Sequence, residues 1–324
     1  MDERSCLIVG GGIAGLTAAE TLQEAGWKVT VVEKGRGPGG RLSTRRIGES
    51  KLDHGAQFLT VRDDLFQKRI TKWESAGVVR PWFTSDDGHT RYCGVDGMNG
   101  IAKDLARGLN VQSHSHVVHV EHCDGRWLVQ DEQGNTYDAP VLVLTPPAEQ
   151  SLALCEPFRP LLGRKLVQTL QSIHFEPCYA LMITGDGKSR VPEPGYVRPA
   201  SGAVQWVGDN VRKGITAGPL ALTIHATARF TTDNWEKKPD AITAMLLEEV
   251  ALYIDGSVQE TELHRWRYSK PVRTETVRCL HGTCPGPIYF AGDAFGGPRV
   301  EGAFLSGLET AKAILASSGQ TGHD

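Results

Sequence analysis

Short apolar runs separated by glycine turns organise the N-terminal part of the chain. The run at 6–10 predicts a buried strand. Leucine and alanine at helical spacing predict a helix over 13–25 that ends at Gly26. Valines alternating with polar residues over 28–33 predict a second strand. Together these elements predict a β-α-β unit, the smallest building block of a parallel sheet.

The centre of the chain carries an antiparallel pattern. Residues 117–122 and 127–131 are alternating stretches joined by an Asp-Gly dipeptide, which is typical of a hairpin. Residues 135–137 follow another glycine turn and complete a small β-meander. The apolar run at 141–144 predicts a further strand, which ends at two prolines.

The remaining patterns connect the two ends of the chain. Residues 34–60 are rich in Gly, Arg and Ser and predict a long functional loop, and 63–74 predicts a helix. Near the C-terminus, 288–290 predicts a short strand and 303–316 an apolar-faced helix. If these last two elements return to the first sheet, the domain built on that sheet is discontinuous.

The expected fold class is therefore α/β (α+β) with two domains. A Rossmann-like domain with a parallel sheet and a β-meander is expected to comprise residues 1–77, 98–150 and 284–324. An inserted substrate domain with a mixed or antiparallel sheet is expected to comprise residues 78–97 and 151–283.

Composition narrows the function classes. The 324 residues are 40% hydrophobic, and 35 basic against 38 acidic residues give a net charge of −3. That balance favours neither nucleic acid nor an anionic membrane as a partner. No apolar stretch has the length of a signal or a bilayer span. The seven cysteines include no CxxC pair, which indicates free thiols and the cytoplasm.

The first segment that carries chemistry is the glycine pattern between the first strand and helix. Gly10, Gly12 and Gly15 fill G-x-G-x-x-G. They allow a tight turn, the approach of a pyrophosphate and close helix packing, while the helix N-terminus attracts the anion. Glu33 ends the second strand, where a carboxylate accepts hydrogen bonds from an adenosine ribose. The pattern predicts a bound dinucleotide, either NAD or FAD.

Two further segments favour FAD. The loop Gly37-Pro38-Gly39-Gly40-Arg41 can line a second side of a pyrophosphate and offset its charge. NAD-dependent domains have no need of such a loop. The other segment joins the last predicted strand to the last helix. There Asp293 can accept from a ribityl hydroxyl, and the helix start at 299–303 can stabilise a reduced flavin ring.

The same segments resemble the renalase family, a branch of the monoamine-oxidase-like flavoproteins, most closely its bacterial members. The matching segments spread over nearly the whole chain: 33–41, 52–58, Gly94, 97–98, 225–227, Arg265-Trp266, Tyr268, Pro271 and 299–307. The resemblance implies a two-domain flavoprotein that oxidises 2- or 6-dihydro isomers of NAD(P) to NAD(P)+. Hydride would pass to flavin N5, and O2 would reoxidise the flavin to give H2O2. Family members often have Met at His54, and 210–212 also differ, which affects the expected substrate rather than the flavin.

The resemblance also implies which residues contact the cofactor. FAD would be held noncovalently by Gly10, Gly12, Ile13, Ala14, Gly15, Glu33, Lys34, Gly40, Arg41, Ala56, Gln57, Phe58, Val117, Gly292, Asp293, Arg299, Val300, Glu301, Gly302 and Ala303. A covalent link through Cys279 or Cys284 is not expected in this branch. Val117 would meet the adenine through its backbone.

The substrate side is predicted from residue types. Hydride transfer from a dihydropyridine forms an aromatic cation, so no general base is expected. His225 is the candidate polar group over the flavin, although a core histidine satisfied by backbone is an equal alternative. Trp206, Trp266 and Tyr268 are candidates for the pocket wall, with core packing as the alternative. Arg265 is a candidate for a substrate phosphate or for a surface pair.

Other clusters predict no additional site. His114, His116, His119 and His122 lack a carboxylate or thiol that would complete a metal shell, so no metal is expected. Gly94, Gly97 and Gly100 have a spacing that could bind a nucleotide, but the pattern predicts a loop without a preceding strand. No second nucleotide-binding domain is therefore expected.

Two alternative functions stay open at this point. One is an amine oxidase, desaturase or hydroxylase, for which Phe295 is a candidate aromatic residue without a convincing second ring. The other is a flavin-binding protein that controls a partner through its redox state without turnover. The aromatic and basic content of 200–270 favours a ligand pocket over that second alternative. The expected partners are a small substrate and O2, and no oligomeric state is predicted.

Overall fold

The computed structural model of the protein describes residues 4–320. Numbered in chain order, the strands of the first sheet are β1 (Ser5–Val9), β2 (Lys28–Val32), β8 (Asn110–Gln112), β12 (Val141–Leu144), β20 (Leu280–Gly282) and β21 (Ile288–Phe290). Their spatial order is β20-β21-β12-β1-β2-β8, and within this sheet β20 alone runs antiparallel to its neighbour.

Helices cover this sheet and the second one. They are α1 (Ile13–Glu24), α2 (Asp64–Ser75), α3 (Met98–Leu105), α4 (Ala148–Leu154), α5 (Arg164–Ser172), α6 (Ala228–Asp233), α7 (Pro239–Val250) and α8 (Arg299–Gln320). Helix α1 packs against α8, where a Cβ at Gly307 would collide with the carbonyl oxygen of Ala14. Side chains of β1 alternate between the two faces of the sheet, so that Ile8 joins the core under α1 and Val9 the core beside α4.

The β-meander covers the second face of the first sheet. It consists of β9 (Val117–Cys123), β10 (Arg126–Asp131) and β11 (Thr136–Ala139). Two smaller sheets lie at the domain boundary: the hairpin of β3 (Thr44–Ile47) with β4 (Ser50–Asp53), and β5 (Leu59–Thr60), β6 (Val79–Thr84) and β7 (Thr90–Gly94).

The second large sheet is antiparallel, in the order β15-β16-β17-β13-β19. Its strands are β13 (Phe175–Gly185), β15 (Tyr196–Val197), β16 (Val204–Asp209), β17 (Leu220–Ala226) and β19 (Val258–Pro271), and a short pair, β14 (Lys188–Ser189) with β18 (Ile254–Asp255), adjoins it. One face packs on α7 through apolar side chains such as Leu181, Ile224 and Leu246. The opposite face is left for the boundary with the first domain.

The predicted β-α-β unit, the meander and the fold class are confirmed. The last strand and helix do return to the first sheet, because β21 pairs with β12 and α8 packs on α1. The exact domain limits stay a prediction. In the part of the chain that the structure describes, no helix combines the length and apolar character needed to cross a bilayer.

Three local predictions were wrong. Residues 34–60 are not one loop, because 44–53 pair as a hairpin and Leu59–Thr60 form β5. Helix α8 begins at Arg299, the first residue of the helix start expected at 299–303; the apolar pattern alone placed the start at 303, because the first turn has few apolar side chains. Gly94 does end a strand, β7, and Gly97 precedes α3; however, a Cβ at Gly97 would meet Thr44 and Asp53, so no space for a nucleotide opens there.

Candidate active site

The glycine turn after β1 leaves the N-terminus of α1 open. Gly10 has a φ of +104°, and a Cβ there would collide with Thr145. A Cβ at Gly15 would collide with the carbonyl oxygen of Gly10, so glycine lets α1 approach the turn. Among residues 4–320, no atom lies within 4 Å of a Cβ built on Gly12, and no side chain caps the helix there. The free amides and the helix dipole suit a phosphate group.

Glu33 lies beside this turn, at the end of β2, and is 7% exposed. Its two carboxylate oxygens accept hydrogen bonds from the backbone N–H groups of Gly11 and Gly35, both at 2.6 Å. Each oxygen keeps a further lone pair for a ligand hydroxyl. The N–H of Ser115 donates to the carbonyl of Glu33 at 3.0 Å, which brings the start of β9 and Val117 to the same place.

The loop at 37–41 folds back onto the α1 turn. The N–H of Gly39 donates to the carbonyl of Gly11 at 2.9 Å, and a Cβ at Gly40 would stand 3.4 Å from the Cα of Gly12. Arg41 then donates two hydrogen bonds to Asp293, at 2.7 and 2.8 Å. This pair joins residues 252 positions apart along the chain. The predicted cofactor residues of the second and third segments therefore lie together.

The segment after β4 and the start of α8 complete this group. The N–H of Ala56 donates to the carbonyl of Arg41 at 2.8 Å. In the first turn of α8, a Cβ at Gly302 would collide with the carbonyl of Gly297. The carboxylate of Glu301 accepts from the N–H groups of Arg62 and Asp63, so it holds the loop before α2 against α8. The other predicted cofactor residues are distributed as follows: Ile13, Ala14, Val300 and Ala303 are buried, Lys34 is exposed, and Gly292 donates through its N–H to Ser306.

The second sheet turns a polar and aromatic face towards these loops. Trp206 and His225 are register partners on β16 and β17, so their side chains share that face. The N–H groups of His225 Nε2 and Trp266 Nε1 both donate to the carbonyl of His54, at 3.1 and 2.9 Å. The ring of Trp266 also stacks on the His54 ring, with centroids 5.4 Å apart. Three of the predicted substrate-side residues thus face the loops expected to hold the cofactor.

Buried polar atoms without partners lie at the same boundary. Within the described residues, Gln57 Oε1, Trp206 Nε1 and His54 Nδ1 have no hydrogen-bond partner. A Cβ at Gly208 would stand 2.7 Å from Trp206 Nε1 and 3.1 Å from Gln57 Oε1, so these two atoms are near each other. Because unpaired buried polar atoms are costly, a polar ligand at this boundary is expected to satisfy them.

An aromatic cluster lies next to Gln57. The rings of Tyr196 and Trp206 stack at 4.6 Å with an interplanar angle of 5°. Phe58 lies 5.6 Å from Trp206, and Phe83 stacks on Tyr196 at 4.4 Å. Sequence reasoning missed Tyr196 and Phe83, because their place depends on contacts between distant strands.

Arg265 and Tyr268 do not join the His54 contacts. Arg265 lies on the opposite face of β19, where it donates to the carbonyls of Trp235 and Lys237. The interpretation of Arg265 as a phosphate ligand in the pocket is therefore not retained. Tyr268 shares the face of Trp266 but packs edge-on against Phe175, with centroids 5.9 Å apart. Phe175 in turn lies under the Arg41 guanidinium at 5.7 Å, which brings Tyr268 towards the Arg41–Asp293 pair.

Phe295 and the histidines of the β-meander, which are also candidates from the sequence, do not belong to this site. Phe295 is 4% exposed and packs in the core with Ala294 and Phe290, so it is not one wall of an amine site. His116 pairs with Glu132 and His119 with Glu121 on the exposed meander. Among residues 4–320, no group of His, Cys, Asp or Glu is arranged to hold a metal ion.

The histidines at the boundary are neutral at physiological pH. Burial lowers the pKa of His225 to about 4, and the nearby Lys213 charge contributes. Burial, followed by the charges of His264 and Arg45, lowers the pKa of His54 to about 3. Burial also lowers the pKa of His264 to about 4. Each neutral ring can accept or donate a hydrogen bond, but none is an imidazolium that could act as a general acid at pH 7.

These pKa values predict an acid-sensitive fold. In the unfolded chain His225 is protonated below its ordinary pKa of 6.5, whereas in the native protein it is protonated only below about pH 4. The free energy of unfolding should therefore fall with decreasing pH by about 1.4 kcal/mol per pH unit for this residue. Urea unfolding of the wild type and of His225→Asn between pH 6.5 and 5 measures the difference, expected at about 2 kcal/mol. Parallel pH profiles for the two proteins would contradict this prediction.

Comparison with known proteins adds independent findings. The family model described as flavin containing amine oxidoreductase matches residues 66–315. The model for an NAD(P)-binding Rossmann-like domain matches residues 8–68, the range that holds the glycine turn and Glu33.

One curated relative and two solved structures match along their whole length. Renalase from Mus musculus is 22% identical, over 95% of this chain and 98% of its own. A putative protoporphyrinogen oxidase from Exiguobacterium sp. 255-15 superposes with a TM-score of 0.71 at 15% identity, covering 98% of this chain and 100% of its own. A putrescine oxidase bound to putrescine superposes with a TM-score of 0.68 at 18% identity, covering 97% and 99%. The structures support the fold, and the full-length match to a renalase confirms the resemblance stated from the sequence.

Proposed function

Because the chain belongs to the family of flavin-containing amine oxidoreductases, we propose that it is an oxidase of the renalase type. Family membership makes it an FAD-dependent oxidoreductase. Our proposal adds the substrate, which is a 2- or 6-dihydro isomer of NAD(P), and the acceptor, which is O2. The products are NAD(P)+ and H2O2.

The residues around α1 fit an FAD molecule. The space beside Gly12 is open and the helix N-terminus has no side-chain cap among the described residues, so the amides there can hold the pyrophosphate. Glu33 has lone pairs for the ribose hydroxyls, and Arg41 supplies positive charge beside Asp293. The N-terminus of α8 would stabilise negative charge on a reduced flavin held beside it. Bound FAD would supply the hydride acceptor for the substrate and a route for the electrons to O2.

The residues of the second sheet position the substrate and exclude water. Oxidation of a dihydropyridine carbon moves a hydride and leaves an aromatic cation, so no proton has to be removed from the substrate. A neutral His225, whose Nε2–H is already hydrogen-bonded to the His54 carbonyl, suits that reaction. The apolar surfaces of Trp206 and Trp266 suit the flat ring of a nicotinamide.

The observation that carries the proposal is the closed contact between the aromatic rings. An amine oxidised at a flavin is usually held between two separated rings. Tyr196 and Trp206 already stack at 4.6 Å and leave no gap, and Phe295 is in the core. This arrangement supports a planar substrate that lies against one aromatic surface over an amine held between two.

Product analysis tests this function. The purified holoenzyme in air is supplied separately with 2-dihydro-NAD, 6-dihydro-NAD and their NADP counterparts. NADH serves as the matched control because it carries the same groups with hydride at the ordinary ring position. A panel of mono-, di- and polyamines forms the third arm. The proposal predicts equal amounts of NAD(P)+ and H2O2 from the 2- and 6-dihydro isomers. Turnover of amines alone would overturn it in favour of an amine oxidase.

A further inference from the structure

Two arginine side chains lie against the aromatic cluster and two more lie close to them, and the cofactor does not account for all four. The Arg91 guanidinium lies 5.6 Å from the centre of the Phe58 ring. The Arg198 guanidinium lies 5.3 Å from the Trp206 ring and 5.9 Å from Tyr196. Because Phe58 and Trp206 are themselves in contact, Arg91 and Arg198 flank one aromatic surface.

The other two arginines reach the same place from the first domain. Arg62 stands directly before α2, and its backbone N–H is held by Glu301 of α8. Arg299 begins that helix. Burial lowers the pKa of Arg299, and the positive charges of Arg62, Arg91 and Arg198 lower it further. The Arg299 guanidinium therefore lies within electrostatic range of the other three.

This group has a surplus of positive charge. Asp87 pairs with both Arg91, at 2.7 Å, and Arg62, at 3.7 Å, and is the carboxylate that offsets the charge felt by Arg299. The carboxylate of Glu301 is also near, since it accepts from the Arg62 N–H, so four positive charges face two negative ones. Arg91 is 5% exposed, and within the described residues its Nε has no hydrogen-bond partner. Arg91 is the buried member of the group, whereas the other three arginines are exposed. An anion bound at this group would satisfy the unpaired Arg91 Nε.

The backbone conformation of Arg299 also supports an anion-binding site at this place. Its φ of +78° lies in the left-handed region, which is unfavourable for a residue with a side chain. Strain of this kind persists where the surrounding structure requires it, and it is concentrated at binding sites. Here it places a cation at the N-terminus of a 22-residue helix, where the helix dipole also favours an anion.

We propose that Arg62, Arg91, Arg198 and Arg299 form a site for a phosphate group of the substrate, beside the rings of Phe58 and Trp206. The inference rests on the proposed function and deepens it, because a dinucleotide substrate carries both a flat base and phosphates. Guanidinium forks bind phosphate oxygens in pairs, and the aromatic surface receives the flat ring. The phosphate is either the pyrophosphate of any dinucleotide or the 2′-phosphate of the NADP form.

A graded set of substrates tests the site. The dihydro isomers of nicotinamide riboside, its mononucleotide, NAD and NADP carry an increasing number of phosphates on the same reacting ring. Their dissociation constants are measured from anaerobic flavin reduction for wild type, Arg62→Gln and Arg198→Gln. Both residues are well exposed, so these variants are expected to fold. Arg229→Gln is the matched control, since its side chain is 93% exposed and lies on α6.

The site predicts that Arg62→Gln and Arg198→Gln weaken dihydro-NAD binding about tenfold or more, while riboside binding is unchanged. A loss that appears first with NAD identifies the pyrophosphate, and one that appears first with NADP identifies the 2′-phosphate. Asp87→Asn should act in the opposite direction and tighten phosphate-bearing substrates severalfold. Equal losses for the riboside, or an equal effect of Arg229→Gln, would overturn the site.

Calorimetric titration with sodium pyrophosphate and with inorganic phosphate separates this site from the proposed function. If no dihydropyridine reduces the wild-type flavin, the function fails. Pyrophosphate binding that is weakened in Arg62→Gln and Arg198→Gln would then still support the site. Absence of pyrophosphate and phosphate binding to the wild type, together with equal affinities along the graded set, would overturn the site whatever the substrate is.

Discussion

Replacing Gly15 by alanine is expected to produce a protein without bound FAD. A Cβ at this position would overlap the carbonyl oxygen of Gly10, so α1 would have to move away from the turn that aligns its amides. Loss of two charge-assisted hydrogen bonds to the pyrophosphate costs about 3–6 kcal/mol, which is more than a hundredfold in affinity. The measurement is the flavin content of the purified protein, followed by fluorescence titration of FAD into the apoprotein.

Gly100→Ala is the matched control for this prediction. Gly100 lies in α3, and the nearest atom to a Cβ there is Asp96 Cβ at 3.7 Å, an ordinary contact. Alanine also favours a helix over glycine by about 1 kcal/mol. This variant should keep its flavin. Full flavin content in Gly15→Ala would show that the close approach of α1 to the turn does not govern cofactor binding.

Replacing Lys213 by methionine is expected to cause the largest loss of stability. Lys213 Nζ lies 2.6 Å from Asp53 Oδ2, and the two side chains are 1% and 0% exposed. Trp82 covers the ammonium group at 4.9 Å. Without the lysine, a buried carboxylate remains without its counter-ion, which costs about 3–5 kcal/mol. Urea unfolding of the holoenzyme at a fixed FAD concentration measures this loss.

The double variant Asp53→Asn with Lys213→Met separates the charge from the packing. An asparagine can still serve the Met98 N–H, which donates to Asp53 Oδ1 at 2.8 Å, but it leaves no unpaired charge. The double variant should therefore recover much of the stability lost in Lys213→Met. A free energy of unfolding for Lys213→Met within about 1 kcal/mol of the wild-type value would contradict the proposed role of the Lys213–Asp53 pair.

The local part of the site could be predicted from the sequence. Gly10, Gly12 and Gly15 lie within six residues at the turn and the start of α1, and the close approach of Gly15 to Gly10 acts within that segment. The strand, helix and carboxylate around them follow from short-range patterns, so their predicted bounds agree with the structure to within one or two residues. The sequence also named both Arg41 and Asp293, although it did not predict that they bind each other.

The substrate side was predicted less well because it depends on which face of a strand meets which domain. Arg265 and Trp266 are neighbours on β19, so their side chains point to opposite faces and cannot both line one pocket. The alternation of side chains along a strand shows that Arg265 and Trp266 lie on different faces, but it does not show which residue faces the cofactor loops. The decision comes from α7, which covers the face of Leu263 and leaves the face of His264 and Trp266 towards His54.

The sequence named some members of the aromatic and arginine clusters but did not show that they meet. Phe58, Arg91, Arg198 and Trp206 belong to four separate strands or loops, and their meeting depends on how the two domains pack. The bifurcated Asp87 contact with Arg62 and Arg91 likewise needs the fold. Residue types alone suggested a basic and aromatic pocket without showing which residues form it.

Anaerobic titration of the holoenzyme with 6-dihydro-NAD tests the central claim most directly. The account predicts that one equivalent of this isomer bleaches the flavin completely and yields one equivalent of NAD+, while the same amount of NADH leaves the flavin oxidised. A flavin that stays oxidised with the 2- and 6-dihydro isomers, but is bleached by an amine, would contradict it.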